Sequence, residues 1–184
     1  MVESQQTWPI KVVSLADAVT RRQPLLNSLE KMGLTYELFK AVDGRDGLSP
    51  SWDEMIDRQW AERRMGRPLT NTEFGCALSH IMIYKEVFEQ GRPGAVVLED
   101  DAEIGPLFKQ FIEERRFDSH DFIQLDYGRA QVYRYGFGRR PLMEGVVSER
   151  LVCNSSLTTG YSVSSKAARY ILDHALPLSL PADW

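Results

Sequence analysis

The chain has 184 residues, of which 43% are hydrophobic and 26% charged, an ordinary globular balance for one domain with a full core. A formal charge of −4, from 26 acidic and 22 basic residues, argues against nucleic acid as a partner held by a net basic surface. No run approaches the ~20 apolar residues of a spanning helix, and Met1 to Thr7 lacks a basic region leading into an apolar one, which argues against a secretory signal and for a cytoplasmic protein.

Taken in chain order, Ile10 to Leu15 reads as a short buried strand. Thr20-Arg21-Arg22-Gln23 has the T-x-x-Q form of a capping box and predicts a helix start there. Leu25, Leu26, Leu29 and Met32 form the helix's buried stripe, and Gly33 ends it. Thr35 to Val42 is the next strand, closed by an Asp43-Gly44 turn. The polar segment Leu48 to Arg67 predicts one exposed helix, closed by Pro68. Thr70-Asn71-Thr72-Glu73 is a second capping box, opening a helix to about Gln90. On that helix Phe74, Ala77, Leu78, Ile81 and Phe88 share one face. Cys76, Ile83 and Val87 form a second apolar line with His80 inside it, so the helix is expected to be buried on two sides, with Ser79 on the polar side. Gly75 inside a helix costs up to about 1 kcal/mol against Ala, which predicts close packing against its backbone.

Ala95 to Leu98 is a buried strand, Pro106 to Arg115 a helix and Asp121 to Leu125 a strand. Tyr127 to Pro141 reads as a loop, Leu151 to Val163 as one or two strands, and Ser164 as the cap of a last helix through Leu172. Strands alternating with helices predict an α/β fold with a mainly parallel central sheet flanked by helices. Cys76 and Cys153, without a CxxC, form no disulfide framework and read as small packed hydrophobes in a reduced protein.

Glu99-Asp100-Asp101 stands directly after the Ala95 to Leu98 strand, and open α/β sheets bind ligands beyond the carboxyl ends of their strands. Three adjacent carboxylates call for a neutralising cation, and oxygen ligands select Mg²⁺ or Mn²⁺. On an extended chain Glu99 and Asp101 point one way and Asp100 the other. The plainer reading is an acidic turn with a capping carboxylate. Arg21-Arg22 follows the first strand at a helix start and suits a diphosphate, or is a solvated pair. Asp43 stands where an acidic residue takes ribose hydroxyls in nucleotide-binding folds, or simply closes a D-G turn. A buried His such as His80 is more often a satisfied core residue than a ligand. Asp126-Tyr127-Gly128-Arg129 adds a further carboxylate at a strand end, beside a loop rich in Arg and Tyr.

Val12-Val13-Ser14-Leu15, Arg21-Arg22, Phe39 to Gly44, Glu73 to His80, Val97 to Ala102, Thr159 to Ser164 and Pro181-Ala182-Asp183 resemble, in order and spacing, the blocks of glycosyltransferase family 25. The family includes bacterial lipooligosaccharide galactosyltransferases. The resemblance implies a GT-A type, Rossmann-like fold and a divalent metal, Mn²⁺ or Mg²⁺, bridging the diphosphate of a UDP-sugar such as UDP-galactose. It implies metal binding by Glu99 and Asp101, with Asp101 in direct contact. It implies donor binding by Val13, Ser14, Leu15, Arg21, Arg22, Asp43, Gly44, Gly75, Ser79 and His80. Asp100 and Asp183 are the implied catalytic carboxylates, Asp183 as the acceptor-side base. Family members continue past the Pro181-Ala182-Asp183 block, so residues 1–184 are expected to form a single GT-A-like domain lacking its C-terminal portion.

The expected activity is metal-dependent, inverting transfer of a hexose to a lipopolysaccharide or other surface glycan, an acceptor hydroxyl being deprotonated by a carboxylate and attacking the anomeric carbon as UDP leaves. A lipid-linked acceptor would bring peripheral contact with the inner face of the cytoplasmic membrane, aided by the Arg-rich stretch Arg129 to Arg140. The rival readings are a nucleotide-sugar-binding fragment without turnover and a metal-dependent phosphotransferase. The latter lacks a GxxxxGK[ST] phosphate loop.

Overall fold

The computed structural model describes residues 8–128, 130–153 and 156–182. Its centre is a five-stranded sheet built from β1 (Ile10–Ser14), β2 (Glu37–Lys40), β3 (Gly94–Glu99), β4 (Phe122–Gln124) and a strand late in the chain, β7 (Gly160–Ser164), in the order β2-β1-β3-β7-β4. β1 pairs in parallel with β2 and β3, whereas β7 is antiparallel to both β3 and β4. The sheet is therefore mixed. The parallel expectation holds for the half carrying β2, β1 and β3. It gives way at β7, which runs back between β3 and β4. Between β4 and β7 lies a separate antiparallel hairpin, β5 (Arg140–Met143) and β6 (Val146–Ser148), where only loop was expected up to Pro141.

Helices cover both faces. α1 (Val19–Lys31) and a short helix, Pro106–Glu113, lie on one face. The helix Asn71–Glu89 and the last helix, Ser165–Ala175, lie on the other. Two further helices, Pro50–Asp53 and Arg58–Met65, precede Asn71–Glu89. In chain order these are α2 (Pro50–Asp53), α3 (Arg58–Met65), α4 (Asn71–Glu89), α5 (Pro106–Glu113) and α6 (Ser165–Ala175). The alternation of side chains along a strand divides the core. Ile10 and Val12 of β1, with Val96 and Leu98 of β3, pack against Leu25, Leu26 and Leu29 of α1 and Phe111 of α5. Val13, Ala95 and Val97 face the other way, onto Ala77, Leu78 and Ile81 of α4. Lys11 shares that second face, and its buried ammonium is paired with Glu86 of α4 at 2.7 Å and Glu37 of β2 at 2.8 Å. A buried charge requires such partners.

Several local expectations change. The Thr20 capping box does not form. α1 begins at Val19 after Ala18, without a side-chain cap, because the Val19 amide already turns onto the Asp17 carbonyl at 2.8 Å. Thr20 is thus inside the first turn. The segment Leu48 to Arg67 holds two helices, α3 being capped by Asp57 and ended by Gly66 in the left-handed region. The Thr70–Glu73 capping box on α4 is present in both directions. Ser164 caps α6, which runs on to Ala175. Phe88 is not part of the apolar face. It is exposed, and the Arg169 guanidinium lies 4.8 Å from its ring centre. Ser79 is buried, not on a polar side, and Cys76 and Cys153 are both exposed. Among the described residues no helix is long and apolar enough to cross a membrane.

Candidate functional site

The parallel strands bring the ends of β1, β2 and β3 to one edge of the sheet. Ser14 and Leu15, Asp43, and the Glu99-Asp100-Asp101 run therefore stand along that edge, where the first turn of α1 brings Arg21 onto Asp100 and Asp101 and Arg22 onto Ser14 and Leu15. The acidic run is split by the pleat of β3. Glu99 continues the Ala95–Val97 face toward α4, and Asp100 turns to the α1 face. The strand ends at Glu99, and the Ala102 amide closes a turn onto the Glu99 carbonyl at 3.1 Å. Asp101 consequently does not return to the Glu99 side.

Asp100 is buried and accepts a hydrogen bond from the Ser14 hydroxyl at 2.8 Å. Arg21 joins Asp100 to Asp101. Its Nε lies 3.1 Å from one and its Nη2 2.7 Å from the other, and Asp101 is about half exposed. The hydrogen bond to Asp101, then the nearby carboxylate charges, raise the Arg21 pKa against the opposing effect of burial. Like charges that pack this closely need a cation, and here the chain supplies one. Arg22 is used differently. It donates to the Leu15 carbonyl at 3.0 Å and to Ser14 at 3.2 Å, closing the end of β1. Val13 lies in the core below.

On the opposite layer Glu99 accepts a short hydrogen bond from Thr158 and lies 3.4 Å from His80 Nε2. The latter is an electrostatic contact and not a formed hydrogen bond, since Nε2 is buried without a partner of good geometry. Burial works to raise the Glu99 pKa, but the interactions with His80, Thr158 and Arg21 outweigh it and hold the carboxyl below its ordinary value. His80 Nδ1 is 2.8 Å from the Tyr161 hydroxyl. His80, Thr158 and Tyr161 line a cavity of about 650 Å³ that also reaches Trp60, Phe122 and Tyr170.

Asp43 is exposed and gripped by Arg45, which also holds Asp17 at 2.8 Å. The hydrogen bonds from Arg45 lower its carboxyl to about 2. Gly44, Gly75 and Ser79 lie behind this edge. A Cβ on Gly44 would come 2.1 Å from the Asn71 carbonyl oxygen, and one on Gly75 would come 2.8 Å from that of Val42. The Ser79 hydroxyl accepts from the Val42 amide at 2.8 Å and donates to the Gly75 carbonyl at 2.7 Å. These three residues dock the end of β2 on α4, and the close packing expected at Gly75 is present. Asp126 follows β4 and caps its own neighbour, the Tyr127 amide, at 2.8 Å. Asp183 and Arg129 lie outside the described residues.

Sequence reading did not single out Arg45, Thr158 or Tyr161. Arg45 stands two residues from Asp43, a short-range signal that was available. Thr158 and Tyr161 meet Glu99 and His80 only through the antiparallel pairing of β7 with β3.

The layered α/β architecture, with charged residues gathered beyond the ends of its parallel strands, is consistent with a Rossmann-like fold of the GT-A type. The model of glycosyltransferase family 25 (LPS biosynthesis protein) matches residues 8–184. The chain belongs to this family. It is 31% identical over 180 residues to the lacto-N-neotetraose biosynthesis glycosyltransferase LgtB of Neisseria gonorrhoeae, covering 88% of this chain and 59% of that protein. It is 33% identical over 182 residues to a probable inactive glycosyltransferase 25 family member 3 of Rattus norvegicus, and 30% identical over 185 residues to procollagen galactosyltransferase 1 of Danio rerio. Each alignment covers 94% of this chain, and 31% and 30% of those proteins respectively. The chain thus spans less than two thirds of the length of each of these relatives.

The buried phenols beside His80 generate a pH prediction. Burial raises Tyr84 to about 12 and Tyr161 well above the ordinary phenol value. A raised pKa contributes stability that is complete below the unfolded value of about 10 and is lost as pH rises through the folded value. The urea midpoint should be level from pH 7 to 9 and fall between pH 10 and 12. Tyr84→Phe should flatten part of that fall; an equally steep fall in the variant would contradict the assignment.

Proposed function

We propose that this chain is the donor-binding part of an inverting glycosyltransferase that moves a hexose, galactose from UDP-galactose, to a saccharide acceptor of the lipooligosaccharide or surface-glycan kind. The observation that carries the reading is Arg21 bridging Asp100 and Asp101 at the ends of β1 and β3. A nucleoside diphosphate has the charge to exchange with those carboxylates for the guanidinium. The named relatives support the sugar and the acceptor: one is a galactosyltransferase and another serves lacto-N-neotetraose biosynthesis. Family membership also favours glycosyl over phosphoryl transfer.

The family implies Mn²⁺ or Mg²⁺. The donor chemistry fits, since Asp100 and Asp101 offer hard carboxylate oxygens side by side on one guanidinium. Asp101, backed by Asp100, would hold the ion, and Glu99, turned to the α4 layer, would not share it. When bound, such an ion offsets charge on a departing diphosphate. The chain's own groups do the rest in this reading. Arg21 donates to diphosphate oxygens, Ser14 keeps Asp100 in place, and Asp43 accepts from ribose hydroxyls. Asp183 takes the proton of the acceptor hydroxyl as its oxygen bonds to the anomeric carbon and the bond to the diphosphate oxygen breaks.

A second reading, donor binding without turnover, is favoured by a relative named as probably inactive. Calorimetry with UDP separates the parts of the proposal. Wild-type chain should bind UDP at least 10-fold more tightly with Mn²⁺ than without, and Asp101→Asn should lose that gain. Equal affinity with and without Mn²⁺ would overturn the metal-assisted reading. Transfer from UDP-galactose to a glycan by the 184-residue chain would overturn the binding-only reading.

The proposal includes peripheral contact with the inner face of the cytoplasmic membrane through the segment leading into β5. Tyr135 and Phe137 there are 101% and 67% exposed, beside the exposed Arg139 and Arg140. Aromatic rings and arginines so interleaved suit an anionic bilayer surface. In flotation with phosphatidylglycerol vesicles, the triple variant Phe137→Ala, Arg139→Ala, Arg140→Ala should lower the bound fraction several-fold. Unchanged flotation would reject the contact.

A further inference from the structure

We propose that Cys76, His80 and Glu99 form a site for one transition-metal ion of the Zn²⁺ class, separate from the hard-cation position at Asp101. Cys76 and His80 are four residues apart and so lie one above the other on α4. Glu99 reaches the same spot because it ends the β3 face that packs on α4. The thiol sulfur, an imidazole nitrogen and a carboxylate oxygen all lie within 4.8 Å of one another. Bonds of about 2.0–2.3 Å to a tetrahedral ion need ligand atoms roughly 3.3–3.8 Å apart, a difference that side-chain rotation closes.

His80 is the independent sign of a ligand. Its side chain is 4% exposed, yet Nε2 has no hydrogen-bond partner and faces Glu99. A buried polar atom left in that state calls for an explanation. The other ring nitrogen, Nδ1, is fixed by the Tyr161 hydroxyl, the arrangement that orients an imidazole bound to a metal through its opposite nitrogen. Sulfur and nitrogen donors beside one carboxylate select Zn²⁺ or Co²⁺ over Mg²⁺ or Mn²⁺. Exposed Cys76 gives the ion a way in, and three protein ligands leave a fourth position for water. Such an ion ties α4 to the end of β3 and keeps Glu99 away from the Asp100–Asp101 pair. This inference does not rest on the transfer reaction.

The test is titration of the full, reduced 184-residue chain with Co²⁺. One equivalent should give a near-ultraviolet thiolate-to-cobalt band together with visible bands of a tetrahedral ion, and Zn²⁺ should abolish both. Cys76→Ser should lose the near-ultraviolet band and bind at least 10-fold more weakly, while Cys153→Ser should behave as wild type. His80→Gln should weaken binding by a similar factor. Because Cys76 is exposed, Cys76→Ser should keep its far-ultraviolet circular dichroism and its Mn²⁺-dependent UDP binding, so that failure of this site and failure of the donor site are distinguishable. No near-ultraviolet band in wild type, a band that survives Cys76→Ser, or one that Cys153→Ser removes, would overturn the proposal.

Discussion

The pleat of β3, ending at Glu99, is the constraint on which the rest of the site depends. Five residues of the strand are fully buried, so its register against β1 and β7 is not free to slip. That register sends Glu99 into the α4 layer and Asp100 into the α1 layer. The turn that follows brings Asp101 back to Arg21 and not to Glu99. Three adjacent carboxylates thereby acquire three environments: one beside an imidazole and a threonine, one buried against a serine and an arginine, and one at the rim. Their mutual repulsion is relieved by separation as much as by counter-charge.

This edge of the sheet depends on a second piece of packing. Gly44 and Gly75 let the end of β2 come within van der Waals reach of α4, where Ser79 takes up the Val42 amide. This sets the height of Asp43 relative to Asp100 and Asp101. Small residues in the middle of α4 are thus part of the architecture of the site without needing to touch a ligand. Arg45 then joins Asp43 to Asp17 along the rim, beside the start of α1. The rim carries both signs of charge, with arginines held in place by carboxylates that a phosphate-bearing ligand would displace.

Much of this was legible in the chain itself. Apolar runs located β1 and β3, and the Thr70–Glu73 box located the start of α4 to the residue. The expected crowding at Gly75 follows from the cost of a glycine in a helix. The failures have physical causes. Period-two reasoning holds only while the strand lasts, and so it misplaced Asp101. The Thr20 box matched a pattern of spacing, but the chain had already turned at Asp17. Cys76 reads as a core residue because its neighbours at helical spacing are apolar, yet that line of α4 reaches solvent at its second turn. Thr158 goes unread, and Tyr161 is read only as part of the Thr159–Ser164 block, because only the reversed direction of β7 brings them to β3.

In the proposed function the donor's diphosphate binds where Arg21 now bridges Asp100 and Asp101, on the α1 side of the sheet, and not in the aromatic cavity on the α4 side. A crystal structure of the chain with UDP and Mn²⁺ tests this most directly. Diphosphate density is expected within hydrogen-bond distance of Arg21, with the ion against Asp101 and the Arg21–Asp101 pair opened. Nucleotide density among Trp60, Tyr170 and Tyr161, with the Arg21 bridge intact, would contradict it.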